Sequence, residues 1–170
     1  MIVSERELVD AVSRDRANGR TIAFANGCFD LLHVGHVRYL QGAAREADRL
    51  IVAVNDDPSV ASLKGLGRPI LPAADRAELF AALRGVHYVV VFSDADVGRL
   101  LQLIRPDVHC KGTDYSADSV PEREVVRAYG GRTAIVGDPK DHATRDLLTK
   151  IKNTTTEDTE DDRGHGPNNG

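Results

Sequence analysis

The sequence has little cysteine and no long apolar run, and each shortage excludes a class of protein. Two cysteines in 170 residues are too few for a disulfide framework or a four-ligand zinc site, so Cys28 and Cys110 are expected to be free thiols. No stretch approaches the roughly 20 apolar residues of a membrane span, and the N-terminus lacks the basic-then-apolar layout of a signal peptide. We therefore expect a cytoplasmic protein with no membrane partner.

Charge is unevenly distributed along the chain. The net charge of −4 comes entirely from the acidic segment 153–170, which leaves residues 1–152 neutral. A neutral body gives no reason to expect nucleic acid as a partner. The C-terminal segment is polar and almost without apolar residues, which is typical of disorder. The predicted organisation is one folded domain over residues 1–152 and a disordered tail over residues 153–170.

Apolar runs alternate with amphipathic segments along residues 1–152. Strands are predicted near residues 21–25, 49–54, 86–92, 108–110 and 132–136, and helices over residues 4–18, from 34 onward, and over 73–83, 94–104, 121–129 and 144–151. Residues 55–58 are predicted to form a loop. The alternation predicts an α/β fold of the Rossmann-like type, a five-stranded parallel sheet with helices on both faces. Ligands of such sheets bind beyond the carboxyl ends of the strands.

One stretch lies where the first predicted strand turns into a helix: Asn26-Gly27-Cys28-Phe29-Asp30-Leu31-Leu32-His33-Val34-Gly35-His36. The unpaired N–H groups at a helix start attract phosphate. Two imidazoles three positions apart lie on one face of that first turn. The pattern predicts a phosphate-handling site. Two other interpretations are a metal half-site that includes Cys28 and a histidine pair that serves only packing.

Residues 27–36 resemble the signature of the cytidylyltransferase-like nucleotidyltransferases, whose hallmark is His-x-Gly-His. Within that family the resemblance is closest to the heptose 1-phosphate adenylyltransferases, in their stand-alone rather than kinase-fused form, and it covers residues 20–152. It also rests on motifs that follow in the same order: Leu63-Lys64-Gly65, Arg68-Pro69, Arg76, Pro106-Asp107, Lys111-Gly112-Thr113-Asp114-Tyr115 and Gly130-Gly131.

The resemblance implies a role for each matching residue. The catalytic residues would be His33, His36 and Lys64; the nucleotide-binding residues Cys28, Phe29, Asp30, Gly35, His36, Lys111, Gly112 and Thr144; and the acceptor-binding residues Asp30, Arg68, Arg76, Asp114 and Tyr115. ATP would be one substrate and a sugar 1-phosphate the other, with Mg²⁺ as cofactor and Asp30 or Asp114 as its candidate contact. The resemblance also implies a homodimer or larger homo-oligomer with small-molecule partners only.

One departure leaves alternatives open. The family usually opens its last helix with a Ser-Thr-Thr-like stretch that binds the triphosphate, but here the residues are His142-Ala143-Thr144-Arg145, and only Thr144 matches. An enzyme that joins CTP to glycerol 3-phosphate, and a nucleotide-binding regulator without turnover, therefore remain as rival hypotheses. Fold alone does not decide among them.

Overall fold

The computed structural model describes residues 1–94, 96–116, 118–138, 147–151 and 153. Strands and helices alternate through these residues. In chain order the elements are α1 (Glu5–Ala17), β1 (Ile22–Gly27), α2 (Val34–Ala43), β2 (Arg49–Asn55), α3 (Asp57–Lys64), α4 (Ala73–Ala81), β3 (Tyr88–Phe92), α5 (Gly98–Ile104), β4 (Val108–Lys111), α6 (Arg123–Ala128) and β5 (Arg132–Ile135).

The five strands form one parallel sheet in the order β3-β2-β1-β4-β5. This confirms the predicted fold class. The chain leaves β1 toward β2 and β3 on one side and returns to β4 and β5 on the other, so strand order reverses between β1 and β4. A crevice opens at such a reversal, beyond the carboxyl ends of the two strands, and it is where open α/β sheets bind ligands.

Side chains of β1 alternate between two hydrophobic layers. Ala23 and Ala25 lie in one layer with residues of α2 and α4, and Ile22 and Phe24 lie in the other with residues of α1 and α5. Both faces of the central strands are therefore covered. That burial explains why these strands are continuous apolar runs rather than alternating ones.

The first helix follows its sequence signals. Ser4 caps α1 by accepting a hydrogen bond from the Glu7 backbone N–H at 3.3 Å, and the Glu7 carboxylate accepts one from the Ser4 N–H at 2.8 Å. This reciprocal pair is the predicted capping box. The helix ends before Gly19, whose φ of +71° suits glycine.

The predicted loop over residues 55–58 is wrong. The strand β2 continues through Asn55, and Asp56 caps a helix that the prediction missed, accepting a hydrogen bond from the Ser59 N–H at 2.9 Å. An N-cap carboxylate followed by proline in the first turn is a helix-start signal, and Asp56 and Pro58 provide it in this sequence. Lys64 is consequently the last residue of α3 rather than part of a glycine loop.

Other boundaries shift by a few residues, as helix ends commonly do. The helices predicted from residues 94 and 121 begin at Gly98 and Arg123. Residues 147–151 of the last predicted helix are helical, and its start lies outside the described residues. The tail predicted over 153–170 lies outside them too, apart from residue 153. Within the described part of the chain, no helix is both long and apolar enough to cross a membrane.

Candidate active site

The turn between β1 and α2 presents a helix start at the sheet reversal. His33 is the N-cap residue of α2, no side-chain hydrogen bond caps this helix, and its first turn holds no acidic residue. Gly35 lies within that first turn. An uncapped helix start without nearby carboxylates carries the positive end of the helix dipole, and it is suited to bind an anion.

The two histidines of the motif lie against each other. The imidazole rings of His33 and His36 stack with centroids 3.8 Å apart and planes 25° apart. Burial, together with the neighbouring His33 and the positive charge of Lys64, lowers the pKa of His36 to about 4. His36 is therefore neutral at pH 7 in the free protein, with one N–H to donate.

The ring of Phe29 packs between His36 and the hydrophobic core. Its ring is buried against Phe80 at 4.6 Å between centroids, and it meets the His36 ring edge-on at 5.3 Å. Its φ of +46° is uncommon for a residue other than glycine. The ring of Phe29 belongs to the core, so the predicted nucleotide contact of Phe29 would have to come from its backbone.

Asp30 and Arg68, both predicted to contact the acceptor, contact each other. A guanidinium nitrogen of Arg68 lies 2.7 Å from Asp30 Oδ2. The other carboxylate oxygen, Oδ1, accepts a hydrogen bond from the Ile70 N–H at 2.5 Å. The Asp30 side chain is 4% exposed, so this pair joins the motif to the segment after α3 and closes both groups to ligands while it holds.

Arg76, which the motif resemblance implied would hold the acceptor phosphate, is enclosed within the protein. Its side chain is 1% exposed. Its Nε donates to the Leu71 carbonyl at 2.9 Å, Nη1 to the Cys28 carbonyl at 2.5 Å and Nη2 to Asp57 Oδ1 at 2.7 Å. Because all three nitrogens already donate within the protein, Arg76 fixes the motif turn against α3 and α4 instead of facing a substrate.

Lys64 and Cys28 lie on the α3 side of the motif. Lys64 is exposed at the end of α3, and its positive charge acts on two groups of the motif, since it lowers the pKa of both His36 and Cys28. Burial outweighs that effect at Cys28 and raises the pKa of its thiol. Cys28 is thus a thiol at neutral pH, and Lys64 is an exposed cation within electrostatic reach of the imidazoles.

A second group of predicted residues follows β4, across the crevice. The buried Lys111 ammonium lies 3.2 Å from a Glu122 carboxylate oxygen and 5.4 Å from the centre of the Tyr115 ring. Gly112 is half-buried beside it, while Asp114 and Tyr115 are exposed. The Thr113 hydroxyl donates to the Asp138 carbonyl at 2.7 Å and fixes this loop. The remaining nucleotide-binding prediction, Thr144, lies outside the described residues.

Sequence reasoning missed the acidic partners of the buried cations. Asp57 holds Arg76 and Glu122 holds Lys111. The position of Asp57 in the first turn of a helix could have been predicted from the Asp56-Asp57-Pro58 helix-start signal. Nothing in the sequence links Glu122 to Lys111, because the link depends on how α6 packs beside β4. The described residues contain no group of three metal-ligating side chains, so the metal half-site interpretation gains no support from them.

Comparison of the sequence with models of protein families identifies the family of this chain. A family model described as cytidylyltransferase-like matches residues 24–160, most of the chain. The chain belongs to the cytidylyltransferase-like family. The matched region begins in β1 and includes the whole His-x-Gly-His turn.

Curated relatives of this cytidylyltransferase-like chain include the bifunctional protein HldE of Ectopseudomonas mendocina, 45% identical over 152 residues, and that of Pseudomonas aeruginosa strain LESB58, 44% identical over 151 residues. Each match covers 89% of this chain and 32% of the relative. The chain thus spans about a third of the length of the relatives it matches.

Two solved structures share the fold. One is the lipopolysaccharide core biosynthesis protein from Thermoplasma volcanium, with a TM-score of 0.63 and 23% identity, covering 72% of this chain and all of the other. The second is pantothenate synthetase from Thermus thermophilus, with a TM-score of 0.60 and 19% identity, covering 84% of this chain and 62% of the other. At these identities the likeness is one of fold.

Proposed function

We propose that this chain transfers the adenylyl group of ATP to a sugar 1-phosphate, D-glycero-β-D-manno-heptose 1-phosphate, and forms ADP-heptose and pyrophosphate. The observation that carries the proposal is the stacked His33–His36 pair at the uncapped start of α2. It lies at the reversal of strand order, with Lys64 on one side and the Lys111 loop on the other.

The reaction needs positioning and charge stabilisation more than acid or base catalysis. An oxygen of the acceptor phosphate attacks the α-phosphorus of ATP, the bond from that phosphorus to the bridging oxygen breaks, and pyrophosphate leaves with the electron pair. The attacking oxygen is already an anion and requires no general base. The obstacle is repulsion between two anions, which preorganised N–H donors and cations overcome.

The site offers three kinds of donor for that purpose. The backbone N–H groups of the α2 start would hold the triphosphate. The neutral His36 and its neighbour His33 would each donate one N–H to α- and β-phosphate oxygens. Lys64, exposed at the end of α3, would close over the phosphates as a point charge. Because Lys64 lowers the pKa of His36, phosphate bound between them would reverse that influence and favour the proton on the imidazole.

Mg²⁺ fits this scheme as part of the nucleotide. The described residues form no protein-only metal site, and Mg²⁺ commonly keeps its waters and binds substrate phosphates with one or two carboxylates. When bound it would neutralise triphosphate charge, with Asp30 as candidate contact once Arg68 moves away. The Arg68 guanidinium, released in that exchange, would be free to hold the acceptor phosphate.

The identity of the substrates rests on the motif resemblance. The segment Lys111-Gly112-Thr113-Asp114-Tyr115 resembles the heptose enzymes more closely than the glycerol 3-phosphate enzymes that use CTP. In the structure Lys111 and Tyr115 lie together on the rim of the crevice, where an ammonium and an aromatic ring can bind a sugar or a base.

The test is a matrix of ATP, CTP and GTP against heptose 1-phosphate and glycerol 3-phosphate, measured as pyrophosphate release in Mg²⁺ buffer. The proposal expects release with ATP and heptose 1-phosphate. Release only with CTP and glycerol 3-phosphate would identify the rival enzyme. Binding of ATP without pyrophosphate from any acceptor would identify a regulator.

Two variants make the assay specific for the proposed site. His36→Gln removes the imidazole but keeps a polar side chain of similar length, and it should abolish most pyrophosphate release. Arg45→Met is the control, since Arg45 is exposed beyond the end of α2, and it should release pyrophosphate at the rate of the unchanged protein. Equal rates for both variants would contradict the proposal.

A further inference from the structure

Two polar side chains in the crevice have no part in the site described above. Asn26 is the penultimate residue of β1, and His109 lies on β4, the neighbour across the sheet reversal. The β1–β4 pairing ends at Ala25 opposite Cys110, so Asn26 lies just beyond the last paired residues. This position is the floor of the crevice.

His109 is fully buried and bonded to Asn26. Its side chain is 0% exposed, and its Nε2 lies 3.0 Å from Asn26 Oδ1. Burial lowers the pKa of His109 to about 3, and the nearby positive charge of Lys111 acts in the same direction. The ring is therefore neutral at pH 7, and only one of its nitrogens carries a proton.

The surroundings decide which nitrogen carries it. No described group forms a hydrogen bond with the buried Nδ1. A proton there would leave a buried N–H donor without an acceptor, which folded proteins avoid more strictly than an unused acceptor. The proton therefore lies on Nε2 and is donated to Asn26 Oδ1. This bond fixes the orientation of the Asn26 carboxamide, because a 180° flip would place its NH₂ group, a donor, next to the Nε2–H donor of His109.

With its oxygen held by His109, Asn26 turns its NH₂ group the other way. Asn26 is half-buried rather than fully enclosed, so this group is what the side chain offers to the crevice. Triphosphate oxygens accept hydrogen bonds but do not donate them, so an amide oxygen in that place would repel them. The orientation set by His109 thus suits a nucleotide.

We infer that Asn26 is a further nucleotide-binding residue that donates a hydrogen bond from its NH₂ group to ATP, and that the buried His109 is the positioning residue that keeps this group turned toward the nucleotide. The inference rests on the proposed function, since it needs a nucleotide in the crevice. It adds a donor from the sheet floor to those from α2 and α3.

The test measures the affinity of the full chain for a non-hydrolysable ATP analogue with Mg²⁺, by calorimetry. Asn26→Ala should weaken binding about 5-fold to 10-fold, as expected for one lost hydrogen bond. His109→Leu should weaken binding by a similar factor although its side chain does not touch the nucleotide. The double variant should bind no more weakly than Asn26→Ala, because both changes remove the same interaction.

A rescue and a control distinguish positioning from packing. His109→Gln retains an N–H that can reach Asn26 and should bind the analogue within about 2-fold of the unchanged protein. His87→Gln alters another histidine with a lowered pKa, located before β3 at the opposite edge of the sheet, and should not change the affinity. Melting temperatures show that each variant is folded, and Asn26→Ser replaces Asn26→Ala should the latter not fold.

Two results would overturn the inference. If the unchanged protein binds the analogue but His109→Leu binds it equally well, His109 only packs, and the proposed function stands without it. If the effects of Asn26→Ala and His109→Leu add in the double variant, the two residues act separately. A protein that binds no ATP analogue at all would overturn the proposed function together with this inference.

Discussion

Replacing Arg76 by methionine tests whether this arginine is structural, as the geometry indicates, or binds substrate, as the motif resemblance implied. The side chain is 1% exposed and donates three hydrogen bonds, to Leu71, Cys28 and Asp57. Methionine fills a similar volume but donates nothing. Two backbone carbonyls would then lose a charged donor in the interior of the protein.

The magnitude follows from those contacts. A buried acceptor left without its partner costs about 1–3 kcal/mol, so two carbonyls cost about 2–6 kcal/mol. The lost ion pair adds little, because the Asp57 side chain is 44% exposed and can be hydrated again. Apolar contacts of the new methionine offset part of the loss. We therefore expect the free energy of unfolding to fall by about 2–4 kcal/mol.

Urea unfolding followed by circular dichroism measures this change, and a fall of about 4–16 °C in melting temperature would accompany it. Arg45→Met, at an exposed arginine, is the matched control and should change the free energy of unfolding by less than about 0.5 kcal/mol. A loss below about 1 kcal/mol for Arg76→Met, with a large rise in KM for the acceptor alone, would refute the structural role and restore the substrate-binding one.

Three further predictions concern the imidazoles and Lys64. His36→Gln should lower kcat by about 10²-fold or more, the scale for one lost charge-stabilising donor, in a steady-state pyrophosphate assay; an unchanged kcat would remove His36 from the mechanism. Lys64→Ala should lower kcat without changing the melting temperature, because Lys64 is exposed at the end of a helix; a destabilised protein would argue for a structural role. In the unfolded chain His109 binds a proton below about pH 6.5, whereas in the folded protein its pKa is about 3 and it stays neutral. The contribution of His109 to stability is therefore complete above pH 6.5 and decreases as the pH falls below 6.5. When the pH falls from 6.5 to 5, the free energy of unfolding should decrease in both proteins. The decrease should be about 1.5 kcal/mol smaller in His109→Leu than in the unchanged protein, as measured by urea titration. Equal decreases in the two proteins would contradict the assigned pKa.

Some features were determined locally and could be predicted. The capping box of Ser4 and Glu7 and the apolar runs of the central strands depend on neighbouring residues or on burial on both faces of a sheet. That the imidazoles of His33 and His36 lie on one side of the α2 start was predicted from their spacing; that they stack was not. The missed α3 was a local error too, because its N-cap and proline signals were present in the sequence.

The roles of the charged residues depended on partners distant in sequence. Arg68 and Arg76 look alike in the sequence, yet one pairs with Asp30 at the rim of the site and the other is buried against Cys28 and Asp57. The bond between Asn26 and His109 joins residues 83 positions apart. The pattern of neighbouring residues in the sequence cannot distinguish a cationic side chain that faces a substrate from one that faces a backbone carbonyl of the protein.

The sequence alone determined the order of strands and helices, the position of the phosphate-attracting turn and the residue types around it, because propensity, capping and hydrophobic period act over a few residues. Only the tertiary structure decided which arginine is enclosed, which carboxylates hold Arg76 and Lys111, and which nitrogen of His109 carries its proton. Those outcomes depend on burial and on hydrogen-bond partners, and both exist only once distant segments pack against the same sheet.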